Sequence, residues 1–294
     1  MKFRKIISLK RSLLALAVLL LGAGALWFYT LPKKYESPLL VPEGDTLRER
    51  FLPPEGYART EAAAGSLAEF LRDYPMEPDG TRVHLYNGKE LLRSSAAAVF
   101  SMHLGNRDLQ QCADSVMRVY AEYLRKNGRE DAIAFHFVSG FLCDWKTYRS
   151  GMRVKVDGNT VNWYAGDEPS ASDATFEKYL EIVFSYASTL SLQNESAPAD
   201  LEDVRVGDMF LRPGSPGHVV LVVDVCEKDG KKAFLLAQGN MPAQQFHVLK
   251  NSAHPKDPWY YVDEVKYPLS TGTYTFEEGS FRRPVYLEDE KENE

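Results

Sequence analysis

The strongest constraint on the fold is a pair of apolar runs joined by a turn. From Val219 to Val225 every residue is apolar except Asp224, and His218 stands at the head of the run. A run of this length, dominated by valine, reads as a strand covered on both faces. Lys228-Asp229-Gly230 turns the chain, and Ala233 to Gln238 returns as a second buried strand. Two such neighbours need cover on both sides. The chain can supply it: 44% of its 294 residues are hydrophobic and 12% are aromatic, enough for one large or two ordinary domains and too apolar for disorder.

Charge is unevenly placed. The first 34 residues hold seven bases and no acid, leaving 28 bases against 41 acids in the remainder. A body this acidic is unsuited to a phosphate backbone, so no nucleic-acid partner is expected. At the amino terminus, bases up to Arg11 precede Leu13 to Leu31, a stretch without a charge. This pattern predicts a signal peptide or transmembrane signal anchor over residues 1–31. Ala23-Gly24-Ala25 offers a cleavage site, whereas Trp27 and Tyr29 suit the interfacial belt of an anchor. Either form exports the body, and the anchor makes the membrane a partner. Residues 32–50 read as a linker, 51–285 as an α+β domain and 286–294 as an acidic tail.

Within the body, Leu109, Cys112, Ala113, Val116, Val119, Tyr120, Tyr123 and Leu124 recur at helical spacing. Asp108 can be the N-cap, with Gln111 closing a capping box, which puts Cys112 in or just beyond the first turn; if Asn106 caps instead, Cys112 lies about two positions deeper. Met152 to Tyr164 reads as a hairpin around Asp157-Gly158, and Phe176 to Ala187 as a second helix. Gly207 to Leu211 reads as a strand that leads through the Pro/Gly loop Arg212 to Gly217 into His218.

These placements assemble a chemistry. A cysteine near a helix start meets partial positive charge, which lowers a thiol pKa. A histidine beside it can pair with the thiolate near neutral pH, and a third polar group fixes the imidazole's orientation. Gln238 ends the strand after that of His218, and Asn240 follows it. A three-residue turn at Lys228-Asp229-Gly230 puts His218 opposite Asn240, with Gln238 on the same face. A two-residue Asp229-Gly230 turn puts Gln238 on the opposite face, and the triad fails. Gln238 is the preferred third residue, Asn240 the alternative. Gln110, Gln111 and the Cys112 amide are weak oxyanion candidates.

Gly207-Asp208-Met209-Phe210 followed by Ser215-Pro216-Gly217-His218-Val219-Val220-Leu221 resembles the Gly-Asp and His-Val block of NlpC/P60 papain-like peptidases and amidases. The resemblance implies an α+β papain-like domain with the Cys112 helix packed on an antiparallel sheet. It also implies Cys112, His218 and Gln238 as the catalytic residues. The segments Asp108-Leu109-Gln110-Gln111-Cys112-Ala113-Asp114, Val183-Phe184-Ser185-Tyr186-Ala187 and Leu236-Ala237-Gln238-Gly239-Asn240-Met241-Pro242-Ala243-Gln244 resemble domain-of-unknown-function family 4846 of bacterial envelope proteins. That likeness covers roughly residues 50 to 285 and brings no established activity. The usual Asp-Cys-Ser/Gly context is replaced by Gln111-Cys112-Ala113.

The expectation is an exported cysteine hydrolase acting on an envelope amide, with peptidoglycan stem peptides as the first substrate class. A non-catalytic envelope binding module and a thioester-forming acyltransferase are the alternatives. No cofactor or metal is expected: Cys112, His136, Cys143 and His218 lack zinc-site spacing. Cys143 and Cys226 read as core, with a disulfide between them left open. Trp163, Trp259, Tyr260 and Tyr261 read as core and rim packing, or alternatively as a groove lining.

Overall fold

The computed structural model describes residues 34–286. The predicted signal segment, its cleavage site and nearly all of the acidic tail lie outside the described residues. Among the described residues no helix is long and apolar enough to cross a membrane.

The body is α+β. Its centre is a nine-stranded sheet in which every pairing is antiparallel. The main path runs Ala96–Val99, His247–Leu249, Lys231–Gln238, His218–Lys228, Met209–Arg212, Phe281–Pro284, Ser196–Pro198. Ala58–Arg59 and Tyr260–Tyr261 pair with the turn end of the central hairpin. The histidine strand His218–Lys228 is buried through Cys226, and the glutamine strand Lys231–Gln238 from Ala233 onward.

The cysteine helix, Cys112–Lys126, covers this hairpin. It buries Ala113, Val116, Val119, Tyr120, Tyr123 and Leu124 as its spacing predicts, and also Ser115, Met117 and Arg118 on its flanks. Arg118 is tolerated there because its guanidinium reaches Glu177 through two bonds, of 2.9 and 2.6 Å, and Glu122 at 3.1 Å. The second predicted helix forms over Asp173–Tyr186, capped by Ser172, and the predicted hairpin over Met152–Asp157 and Thr160–Ala165.

The central turn is the two-residue form: Lys228 pairs with Lys231, and Asp229 and Gly230 both have positive φ, 51° and 78°. Those angles suit the tight turn whose twist matches the flanking strands. The three-residue turn is therefore corrected. Its consequence for the site survives for another reason. Between Leu235, paired with Asp224, and Leu236, paired with Val222, the register shifts by one residue at Val223. This β-bulge adds the residue that the turn lacks. Beyond it Ala237 pairs with Leu221, so Gln238 regains the face of His218.

A second correction concerns residues 32–50. Leu40 is buried and bridges Phe51, and the short helix Leu47–Arg50 buries Leu47 and Arg50. Leu47 and Phe51, one turn apart, form an apolar pair that the charged residues between them disguise. The domain thus begins before residue 51.

Candidate active site

The cysteine helix starts at Cys112 itself. Its N-cap is Gln111, whose amide donates to Asp114 Oδ2 at 2.9 Å, so the expected Asp108 cap is corrected. Asp108 instead accepts from the Ala243 amide at 2.7 Å and from Gln111 Nε2 at 3.2 Å. It fastens the loop after the glutamine strand to the approach of the helix. Asp114, at the third helical position, folds back onto the Gln111 amide and so closes the helix start one turn later than Asp108 would.

Two glycines allow the site to close. A Cβ on Gly239 would stand 2.2 Å from Ser115 Oγ and 2.8 Å from the Gln111 carbonyl oxygen. The end of the glutamine strand therefore rests directly on the first turn of the cysteine helix. A Cβ on Gly217 would stand 2.4 Å from both Thr189 Oγ1 and the Gly214 carbonyl oxygen, which fixes the approach to His218.

His218 Nε2 and Gln238 Oε1 lie 2.7 Å apart, both side chains buried. Asn240 accepts from the Met241 amide at 2.8 Å and has no part in this contact. Thr273 donates to Gln238 Oε1 at 3.3 Å. The His218 ring stacks on Tyr274, with centroids 4.4 Å apart and planes at 24°. Tyr274 belongs to the turn between the paired segments Leu269–Ser270 and Thr275–Phe276, which roofs the imidazole.

Cys112 is partly exposed, and the Val219 amide, next in the chain to His218, donates toward its thiol. The cysteine helix start and the histidine strand start are thus in contact. No hydrogen bond joins the thiol to the His218 ring among the described residues. Surrounding protein pushes the thiol up to about 11, helped by the Asp114 carboxylate, while the amides of Val219, Ala113 and Cys112 pull the other way. Burial moves His218 down, opposed by its bond to Gln238. At rest the thiol and the imidazole are consequently both neutral, with the thiol held at the Val219 amide that follows His218. This differs from the thiolate expected near neutral pH, because desolvation outweighs the helix terminus.

A pH dependence follows from these directions. A raised thiol pKa means that thiolate accumulates only as the pH climbs. Iodoacetamide labelling of Cys112 in the free protein should keep rising with pH through neutrality toward about 11. Burial raises Asp114 as well, to about 8, so it is an anion only above neutrality; Asp114→Asn removes that anion and should move the alkaline part of the rise to lower pH. A plateau below pH 8 in the wild type would instead reveal a preformed thiolate.

The other candidates separate cleanly. Gln110 is committed, receiving Arg118 Nε at 2.6 Å and donating to the His103 carbonyl oxygen at 3.0 Å, so its carboxamide is not free to hold an oxyanion. Cys143 and Cys226 are buried and all three cysteines are free thiols. Trp259 and Tyr260 are buried. Tyr260 and Tyr261 pair with Phe234 and Ala233 at the turn end of the glutamine strand. At about 3.3 Å per residue that is roughly 13 to 17 Å along the strand from Gln238, so they do not line this site. Trp163 packs on Phe141.

Residues 47–283 match the family described as domain of unknown function (4846). The chain belongs to that family. The match spans the cysteine helix, both site strands and the roofing turn, so the whole constellation lies inside the 4846 domain. No curated protein matches the chain, and no solved structure does.

Sequence reasoning missed His247, Thr273 and Tyr274. His247 is fully buried and sits directly across from Gln238 in the adjoining strand, with Gln238 Nε2 and His247 Nε2 3.4 Å apart. The signal was available in part: Phe246, Val248 and Leu249 mark a short apolar strand after the Met241-Pro242 turn. Only the pairing register, which the sequence does not contain, aligns His247 with Gln238. Nothing near Thr273 or Tyr274 points to His218.

Proposed function

We propose that this protein is an exported cysteine hydrolase with a papain-like arrangement, cleaving an amide or peptide bond in the bacterial envelope. Peptidoglycan stem peptides are the first substrate class to try. The observation that carries the reading is the 2.7 Å bond from His218 to Gln238 beside a thiol at a helix start. With Nε2 engaged by Gln238, the second ring nitrogen, Nδ1, is left to take the thiol proton. Cys112 Sγ then attacks the carbonyl carbon as its proton passes to Nδ1, and the carbonyl electron pair moves to oxygen. Collapse of this intermediate breaks the C–N bond, and the same proton leaves with the amine. Water, deprotonated by Nδ1, cleaves the thioester and restores the thiol. Because the resting pair is neutral, proton transfer accompanies attack in this scheme.

The likeness to NlpC/P60 enzymes and the amino-terminal segment support the substrate class. Purified body should release amines from peptidoglycan-derived peptides, and His218→Ala should stop the release. No release from any such peptide would remove the substrate proposal.

One observation favours a second reading, a non-catalytic envelope binding module on the same fold. The thiol is neutral and makes no bond to the imidazole. On that reading Cys112→Ala leaves ligand binding intact and no acyl adduct ever forms.

A further inference from the structure

The hydrogen bonds around Gln238 continue past it to a main-chain carbonyl, and their directions are forced. The Gln245 carbonyl oxygen can only accept, and it lies 2.9 Å from His247 Nδ1. His247 Nδ1 therefore carries a hydrogen. His247 is fully buried, and burial, with His218 and Lys250 nearby, drives its pKa down to about 4. The ring is neutral, so its Nε2 holds a lone pair and can only accept. The group facing that lone pair at 3.4 Å must be the amide nitrogen of Gln238. This orients the carboxamide: Oε1 points at His218 Nε2 and also takes the Thr273 hydroxyl. An amide oxygen only accepts, so His218 Nε2 carries the hydrogen and Nδ1 the lone pair.

We propose that His247 is a positioning residue that sets the tautomer of His218 through Gln238, leaving His218 Nδ1 as the basic nitrogen. The carboxamide of Gln238 could satisfy His218 in either orientation. Turned over, its amino group would face Nε2 and move the ring hydrogen to Nδ1, where no proton could be accepted from Cys112. Thr273 does not decide between them, since a hydroxyl donates or accepts as required. Only His247, fixed by the Gln245 carbonyl, distinguishes them. Sheet pairing holds it there, with Gln238 across one side and Val99 across the other. The catalytic meaning of the relay rests on the hydrolase reading, but the tautomer itself does not.

The test is long-range proton–nitrogen NMR of the histidine rings in the purified body at neutral pH. It compares wild type, His247→Phe, which removes the acceptor, and His247→Gln, which can restore one. In the wild type, His247 should be the Nδ1–H form and His218 the Nε2–H form. His247→Phe should convert His218 to the Nδ1–H form or a mixture, and His247→Gln should keep it mostly Nε2–H. With a cleavable substrate, kcat should fall about 10- to 100-fold in His247→Phe, with KM little changed, and recover in His247→Gln. A folded His247→Phe protein that keeps the wild-type His218 tautomer would overturn the proposal. So would wild-type protein with His247 as the Nε2–H form, a result that needs no variant to fold. Tautomers as stated with no turnover of any substrate would uphold the relay and count against the hydrolase reading alone.

Discussion

Replacing Cys112 by alanine should lower amide hydrolysis by about 10⁴-fold or more while leaving the fold intact. The scheme gives the covalent bond to one atom, and alanine has nothing in its place. Stability should fall only modestly, by about 1 kcal/mol, because Cys112 is partly exposed at the first helical position although its thiol packs against the core. Alanine is also the best helix former. The helix start is held by Gln111 and Asp114, which the substitution does not touch. Turnover assays paired with thermal unfolding check both halves. Persisting hydrolysis would remove Cys112 from the chemistry, and a large loss of stability would mark it as a packing residue.

Asp224→Ala should have the opposite profile, a large loss of stability of about 3 to 5 kcal/mol. Asp224 is the one charge inside the apolar run, and it is fully buried. Its two oxygens receive Arg59 Nε at 2.6 Å and Arg72 Nε at 2.7 Å, and Oδ1 also accepts the Val225 amide at 2.9 Å. Arg72 is itself buried and donates onward to the Thr60 and Val225 carbonyl oxygens. Alanine would strand that guanidinium without its carboxylate. The midpoint of thermal unfolding should fall by roughly 10 °C. Asp203→Ala, whose carboxylate is half exposed, should shift it far less. Equal midpoints for the two variants would show that the buried ion pairs do not secure the hairpin. Asp224 also flanks the bulge at Val223, so these arginines hold the amino-terminal segment against the strand where its register is reset.

Much of the site could be read from residue order. The 3.6-residue spacing after Leu109 placed the cysteine helix. The valine-rich run placed the histidine strand, and Gln238 was named because a strand visibly ends there. The turn between the two strands is where sequence and structure part. The three-residue turn that would join them does not form; the turn is the two-residue Asp229-Gly230 form, and a regular hairpin from it would put Gln238 on the wrong face. The bulge at Val223 reverses this, and a valine among valines gives no local sign of a bulge. The charge state of the site was equally hidden. A helix start beside a histidine argues for a thiolate, but how deeply the thiol is enclosed depends on strands more than 100 residues away in the chain. His247 became visible only through pairing, since a lone histidine in a short apolar strand resembles any buried histidine. The linker boundary failed for a simpler reason: Arg48, Glu49 and Arg50 outweigh Leu47 and Phe51 in composition, although the two apolar residues decide where the segment goes.

In the proposed mechanism Cys112 forms a thioester with His218 as its base. Incubation of the purified body with p-nitrophenyl acetate, followed by peptide mapping of the acetyl group by mass spectrometry, addresses it without knowledge of the substrate. An acetyl group is expected on Cys112, none on Cys143 or Cys226, with formation slowed about 10²-fold or more in His218→Ala. An unmodified Cys112, or one acetylated equally fast without His218, would contradict it.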